Sequence, residues 1–314
     1  MSKYRSKLPQ LDGTVFLTDG GIETTLIFHE GFELPHFAAF DLLRDQEGRQ
    51  ALRRYYERYA EIARANEVGF VLESATWRAS RDWGDKLGYS ADDIAKVNQD
   101  AISLLSELRN TFETGRTQVV ISGCIGPRGD GYDPGEIMTS AEAQVYHEHQ
   151  IKAFADSEAD MVTAITMTNI NEAVGIARAA SEAGMPSVIS FTVETDGRLP
   201  TGDTLQYAIS TVDRLVDNPP AYYMINCAHP SHFEGELAGD DHWLDRIRGV
   251  RANASSKSHA ELDEAVELDI GNPQELGSQH QALRGRLKRL NVFGGCCGTD
   301  HRHIAAIADA CLAA

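Results

Sequence analysis

This sequence predicts a single closed (β/α)8 barrel spanning residues 1–314, and three observations carry that reading. Eight short apolar or β-branched runs recur along the chain, helical patterns lie between most of them, and no linker or low-complexity stretch divides it. The alternation calls for a parallel sheet. An open doubly wound sheet would usually carry a glycine fingerprint for dinucleotide phosphate in its first turn, and Gly294-Gly295-Cys296-Cys297-Gly298 is not that fingerprint. Eight strand-helix units in this length suit closure, which gathers chemistry on the loops after the strands.

The elements follow in order. The first strand reads Thr14–Thr18 and runs into Asp19-Gly20-Gly21. A helix over Ala51–Asn66 repeats Leu52, Tyr55 or Tyr56, Tyr59 and Ile62 or Ala63 at helical spacing. The second strand is Phe70–Thr76, and the helix after Ser90 repeats Ile94, Val97, Ala101, Leu104, Leu105 and Leu108. Ser90 with Asp93, Thr139 with Glu142, and Asn169 with Glu172 each pair a short polar side chain with a carboxylate three residues on. Such pairs serve the free amides of a first helical turn. Gln118–Ser122 and Met161–Thr166 are the third and fourth strands, Ser187–Val193 the fifth and Tyr222–Asn226 the sixth. Ile247–Asn253 is the weakest pattern, and Asn291–Phe293 closes the set. Asp196–Asp203 and Ser255–Pro273 are the segments expected over the barrel mouth.

A formal net charge of −18 argues against nucleic acid or an anionic membrane as partner. No run approaches the roughly 18 apolar residues of a membrane span. The basic start, Lys3, Arg5 and Lys7, is followed by no apolar stretch, so no secretory signal is expected. Five cysteines are an odd number and do not read as a disulfide framework. A reducing cytoplasm suits free thiols.

Three of those cysteines carry the functional reading. Cys227 lies just past the sixth strand and Cys296-Cys297 just past the eighth, so a closed barrel makes them neighbours at one rim. Adjacent residues on a strand point apart, so Cys296 and Cys297 share a target only if the backbone turns sharply, which the flanking glycines permit. Three converging thiolates with no fourth protein ligand describe a zinc ion with one open position. A metal-bound thiol is deprotonated outright. Three thiolates leave the site negative, so an added thiolate stays nucleophilic, whereas hydrolytic zinc more often sits among histidines and carboxylates. The open position is where a small-molecule substrate would bind.

The segments Leu17-Thr18-Asp19-Gly20-Gly21-Ile22-Glu23-Thr24-Thr25-Leu26, Asn226-Cys227 and Gly294-Gly295-Cys296-Cys297-Gly298-Thr299 together resemble the homocysteine S-methyltransferase family of zinc-dependent barrels. The likeness runs through Ser122–Pro127 and Ser190–Val193. It implies transfer of a methyl group from sulfur or nitrogen of S-methylmethionine, S-adenosylmethionine or a betaine-like donor to homocysteine, giving methionine. It places Asp19, Gly20 and Gly21 beside the amino-acid portion of the thiol, the glycine amides near its carboxylate. Glu23 orients that turn or caps a helix, Thr76 is a candidate hydrogen-bond partner of substrate, and Asn226 holds the cysteine loop or touches substrate.

One position departs from the family. A glutamate that usually ends the fourth strand, and is thought to hold the amino-acid ammonium, is Ile165 here. Glu73 or Glu194 would have to supply the charge. Cys124 and Cys311 read as packing residues. His147 and His149, like His301 and His303, are two apart on helices and face apart. His229 is close in sequence to Cys227. Trp77 and Trp83, ahead of Trp243, are the expected aromatic walls for a cationic donor. A zinc hydrolase and a cysteine redox sensor are the rival readings.

Overall fold

The computed structural model describes residues 2–264 and 267–313. Eight parallel strands close into one barrel in chain order: β1 (Phe16–Leu17), β2 (Gly69–Glu73), β3 (Val119–Ile125), β4 (Met161–Met167), β5 (Ser187–Phe191), β6 (Tyr222–Asn226), β7 (Ile247–Ala252) and β8 (Val292–Gly295). β1 pairs with both β2 and β8, so no edge is left open. The helices that follow β1 to β8 are α1 (Gln46–Ala65), α2 (Ala91–Phe112), α3 (Ser140–Ala155), α4 (Ile170–Glu182), α5 (Leu205–Leu215), α6 (Pro230–Phe233), α7 (Pro273–Arg286) and α8 (His301–Leu312). The sixth is a single turn.

The expected caps form. Ser90 with Asp93 and Thr139 with Glu142 are reciprocal, each side chain serving the other's amide. Asn169 caps α4 alone, because Glu172 turns instead to His147 Nε2, 2.9 Å away. α1 begins five residues before the expected Ala51, capped by Asp45. β1 is shorter than its five-residue reading: Asn291 Nδ2 donates to the carbonyls of Gln10 and Thr14 and turns the chain at the barrel floor. β2 stops at Glu73 rather than Thr76, where Ser74 and Thr76 enter a turn. β4 carries a bulge between Ala164 and Met167, with Thr166 at φ +64°.

The barrel interior changes character from floor to mouth. Phe16, Val71, Val120, Met161, Val188, Tyr222, Met224 and Val292 make an apolar base, against which Tyr4 and Leu8 pack. Above it, Ser122 bonds Thr163 at 2.7 Å, Ser190 bonds Asn226 at 2.6 Å, and Glu73 pairs with Arg251 at 2.8 Å. The alternate strand residues, such as Leu17, Leu72, Ile121 and Ile225, join the shell under the helices. The apolar floor fixes the strands; the polar upper layer is free for chemistry.

Candidate active site

The sixth and eighth strands deliver the three cysteines as their positions imply. Cys227 adopts φ +56°, a left-handed conformation unusual for a residue with a Cβ. It is held by Arg251 O accepting its amide at 3.2 Å and by His259 Nε2, 2.6 Å from its carbonyl. Beyond β8, Thr299 N returns to the carbonyl of Cys296 and Gly298 sits at φ +77°, the sharp turn that the adjacent cysteines require. All three sulfurs lie within 4.8 Å of one another, and Cys227 Sγ to Cys297 Sγ is 3.3 Å. Among the described residues, no other group of histidine, cysteine and acidic side chains has that convergence.

Tetrahedral zinc with ~2.3 Å bonds to sulfur separates thiolates by roughly 3.8 Å, so the Cys227–Cys297 pair would open by about half an ångström to take the ion. Hydrogen bonds from Cys227 and then Cys297, against the cost of burial and aided by Arg251, hold the Cys296 thiol well below its ordinary pKa. A shared thiolate is a metal site in waiting.

Asp19, Glu73 and Arg251 form a buried clamp at the centre. Arg251 spans Asp19 Oδ1 at 2.5 Å and Glu73 Oε2 at 2.8 Å, and its Nε donates to the carbonyl of Gly295, beside Cys296. Tyr55 donates to Asp19 Oδ2 at 2.8 Å. Burial raises both carboxylates and Arg251 pulls them back; burial would lower Arg251, but Asp19 and Glu73 raise it. Glu73 Oε1 remains buried without a partner.

A cavity of about 390 Å³ opens on these groups. Asp19, Gly20, Gly21, Glu23, Ile165 and the three cysteines all line it. Thr76 and Asn226 do not. Thr76 Oγ1 donates to the Cys124 carbonyl at 2.8 Å, tying β2 to β3, and Asn226 accepts from Thr166 N and Ser190 Oγ while standing 3.9 Å from Cys296 Sγ. Gly21 must be glycine, since a Cβ there would fall 2.6 Å from the Cys296 carbonyl. Its amide is committed to Thr299 rather than free for a carboxylate. Glu23, partly exposed to the cavity, is pushed up to about 7 by burial.

Of the two segments expected over the mouth, Ser255–Pro273 contributes Ser255, Leu262, Glu267, Leu268 and Asp269 to the cavity wall, whereas nothing from Asp196–Asp203 lines it. The aromatic wall differs too. Arg78 lies over the rings of both Trp77 and Trp83, 3.9 and 3.8 Å from their centroids, and Lys86 also covers Trp83. Those faces already hold cations of the protein's own. Trp243 packs against the core shell. Of the remaining candidates, Glu194 stands outside the cavity beside His259 Nδ1, at 3.3 Å, and His229 caps α6 through Ser231. His147 is buried on Glu172 while His149 is exposed. Buried His303 bonds Asp300, the cap of α8, and His301 is exposed. Cys311 packs inside α8; Cys124 is buried but borders the cavity.

Sequence reading missed four residues. Arg251 interrupts the apolar pattern of β7, and an arginine inside a strand was itself the signal. Tyr132, whose hydroxyl lies 3.1 Å from Cys227 Sγ and 3.4 Å from Cys297 Sγ, stacks on His259 at 4.0 Å. Neither has a local pattern to betray it. Arg78 is the fourth.

A closed parallel barrel whose mouth gathers three thiols defines a thiol-handling barrel enzyme. Residues 16–311 match the homocysteine S-methyltransferase family, and the chain belongs to it; it is a methyltransferase acting on a thiol. It is 23% identical over 259 residues to a selenocysteine Se-methyltransferase of Brassica oleracea var. italica, covering 76% of this chain and 73% of that one. It is 21% identical over 261 residues to homocysteine S-methyltransferase 2 of Arabidopsis thaliana, covering 76% and 77%. The oxidized form of the Escherichia coli homocysteine methyltransferase MmuM superposes with a TM-score of 0.76 at 17% identity, over 96% of this chain and 99% of that one. The metallated form gives 0.74, over 95% and 97%. Among the described residues, no helix is long and apolar enough to cross a membrane.

Proposed function

We propose that this chain is one catalytic domain that transfers a methyl group from a small onium donor to the thiol of homocysteine, using zinc held by Cys227, Cys296 and Cys297. The observation that carries the reading is the convergence of three sulfurs on the wall of a cavity large enough for two small substrates. Zinc in this cup would keep the acceptor thiol deprotonated yet nucleophilic. The protein's part is positional. Bringing thiolate and methyl carbon into line converts a bimolecular displacement into an intramolecular one. The acceptor sulfur gains the methyl, and the donor's sulfur or nitrogen leaves with the bonding pair as a neutral product.

Asp19 and Glu73 keep Arg251 in place, and Arg251 braces the Gly295 carbonyl one residue before Cys296. His259 and Asn253 brace the other two cysteine positions: His259 binds the Cys227 carbonyl, and Asn253 Oδ1 accepts the Cys297 amide at 3.0 Å. Ile165 offers no charge to an ammonium, whereas Glu73, which also lines the cavity, carries a carboxyl group. Glu73 is therefore the group assigned to the acceptor's ammonium, in preference to Glu194. Five unpaired thiols suit the reducing cytoplasm.

The test is zinc-edge X-ray absorption before and after homocysteine, with product analysis against a panel of labelled methyl donors. A switch of the fourth ligand to sulfur and labelled methionine are expected. An unchanged spectrum at saturating homocysteine would sink the mechanism.

A further inference from the structure

Two arginines line the cavity, and they differ in one respect. Arg251 is saturated by Asp19, Glu73 and the Gly295 carbonyl. Arg78, only 4% exposed, donates one hydrogen bond, from NH1 to the Gly129 carbonyl at 2.7 Å. Its nearest carboxylate, on half-exposed Asp130, is 3.8 Å away, beyond hydrogen-bonding reach, and its Nε is buried with no partner. Trp77 and Trp83 cover the faces of the guanidinium. Nε is the guanidinium donor left without a partner, and a paired N–H contact with a carboxylate would use it together with a neighbouring terminal nitrogen. Burial lowers its pKa only to about 10, so it stays charged at neutral pH.

Resting on the thiol methyl transfer proposed above, we infer that Arg78 seats a substrate carboxylate, so that at least one reactant of this cavity is a carboxylic acid. Two sources share that chemistry: the acceptor, a thiol amino acid, or the donor, a sulfonio- or ammonio-carboxylate. The commitment of the Gly21 amide to Thr299 removes one competing seat for it. Ile27 and Ile165 give the rest of the wall an apolar lining suited to the hydrocarbon between charge and sulfur.

The experiment titrates zinc-loaded protein, followed by tryptophan fluorescence, with two matched pairs: homocysteine against 3-aminopropanethiol, and S-methylmethionine against (3-aminopropyl)dimethylsulfonium. In the wild type one pair should favour its carboxylate member by about ten- to hundredfold, the range for a charge-assisted contact, and that pair names the source. Arg78→Gln should erase the preference and leave the members without a carboxylate unchanged. Arg78→Lys keeps the charge but not the paired geometry and should lose most of the preference; should the glutamine variant not fold, it decides alone. No preference in the wild type, or equal weakening of both members of each pair, overturns the inference. Carboxylate preference with no methyl transfer from any donor would instead refute the proposed function and leave Arg78 standing.

Discussion

Replacing Arg251 with methionine should show how much of this barrel's stability rests on its central clamp. The change leaves Asp19 and Glu73, 3% and 4% exposed, without their shared cation. Breaking a buried ion pair by removing one partner costs about 3–5 kcal/mol. At about 2.1 cal/mol/K of unfolding entropy per residue, a chain of 314 residues loses about 5–8 °C of melting temperature for that cost. The loss depends on pH with a definite sign. Both carboxylates already sit above their ordinary pKa because of burial, and losing Arg251 raises them further. An acid raised in the folded state destabilises it when charged, an effect absent at low pH and growing as pH rises through the folded pKa. The deficit should therefore be larger at pH 8 than at pH 5, by calorimetry of the metal-loaded protein. An Asp19→Asn, Glu73→Gln, Arg251→Met triple variant should recover much of it, since neutral groups need no counter-charge. An equal loss at both pH values, or none, would refute the account.

Cys227→Ser should remove most of the bound metal while circular dichroism stays that of a folded barrel, because the apolar floor does not depend on the rim; full zinc occupancy would remove Cys227 from the ligand set. Glu23→Gln should raise the melting temperature at pH 8 and change it little near pH 4.5, because the Glu23 carboxyl, raised from 4.5 to about 7 by burial, burdens the fold only once ionised. A rise of the same size at both pH values would assign the effect to something other than charge. Metal-stripped protein treated with a mild oxidant should link Cys227 to Cys297, whose sulfurs are 3.3 Å apart, rather than the adjacent Cys296 and Cys297. Peptide mapping distinguishes the two bonds.

The barrel and the convergence of its three thiols were legible in the linear sequence because their signals are local. Period-two and helical runs mark strands and helices, and the Ser90–Asp93 and Thr139–Glu142 caps lie within one turn. The cysteines also became readable once the strand count was known, since a barrel brings the end of β6 and the end of β8 to the same rim. Strand ends were less faithful. Where β2 stops depends on Ser74 and Thr76 bonding each other and Cys124 across 48 residues, which no window along the chain reveals.

By itself, then, the sequence determined the alternation of elements, the closure it favours and the three thiols at the mouth, all written in spacing and residue type. The tertiary structure decided how the charges are spent. Asp19 reads as a free carboxylate until Arg251, 232 positions away, is found to hold it. Trp77 and Trp83 read as open aromatic walls until Arg78 is found between them, and the missing fourth-strand glutamate reads as a lost charge until Glu73 is found among the residues that line the cavity. Electrostatic roles depend on distance and burial in space, and closing the barrel is what sets both.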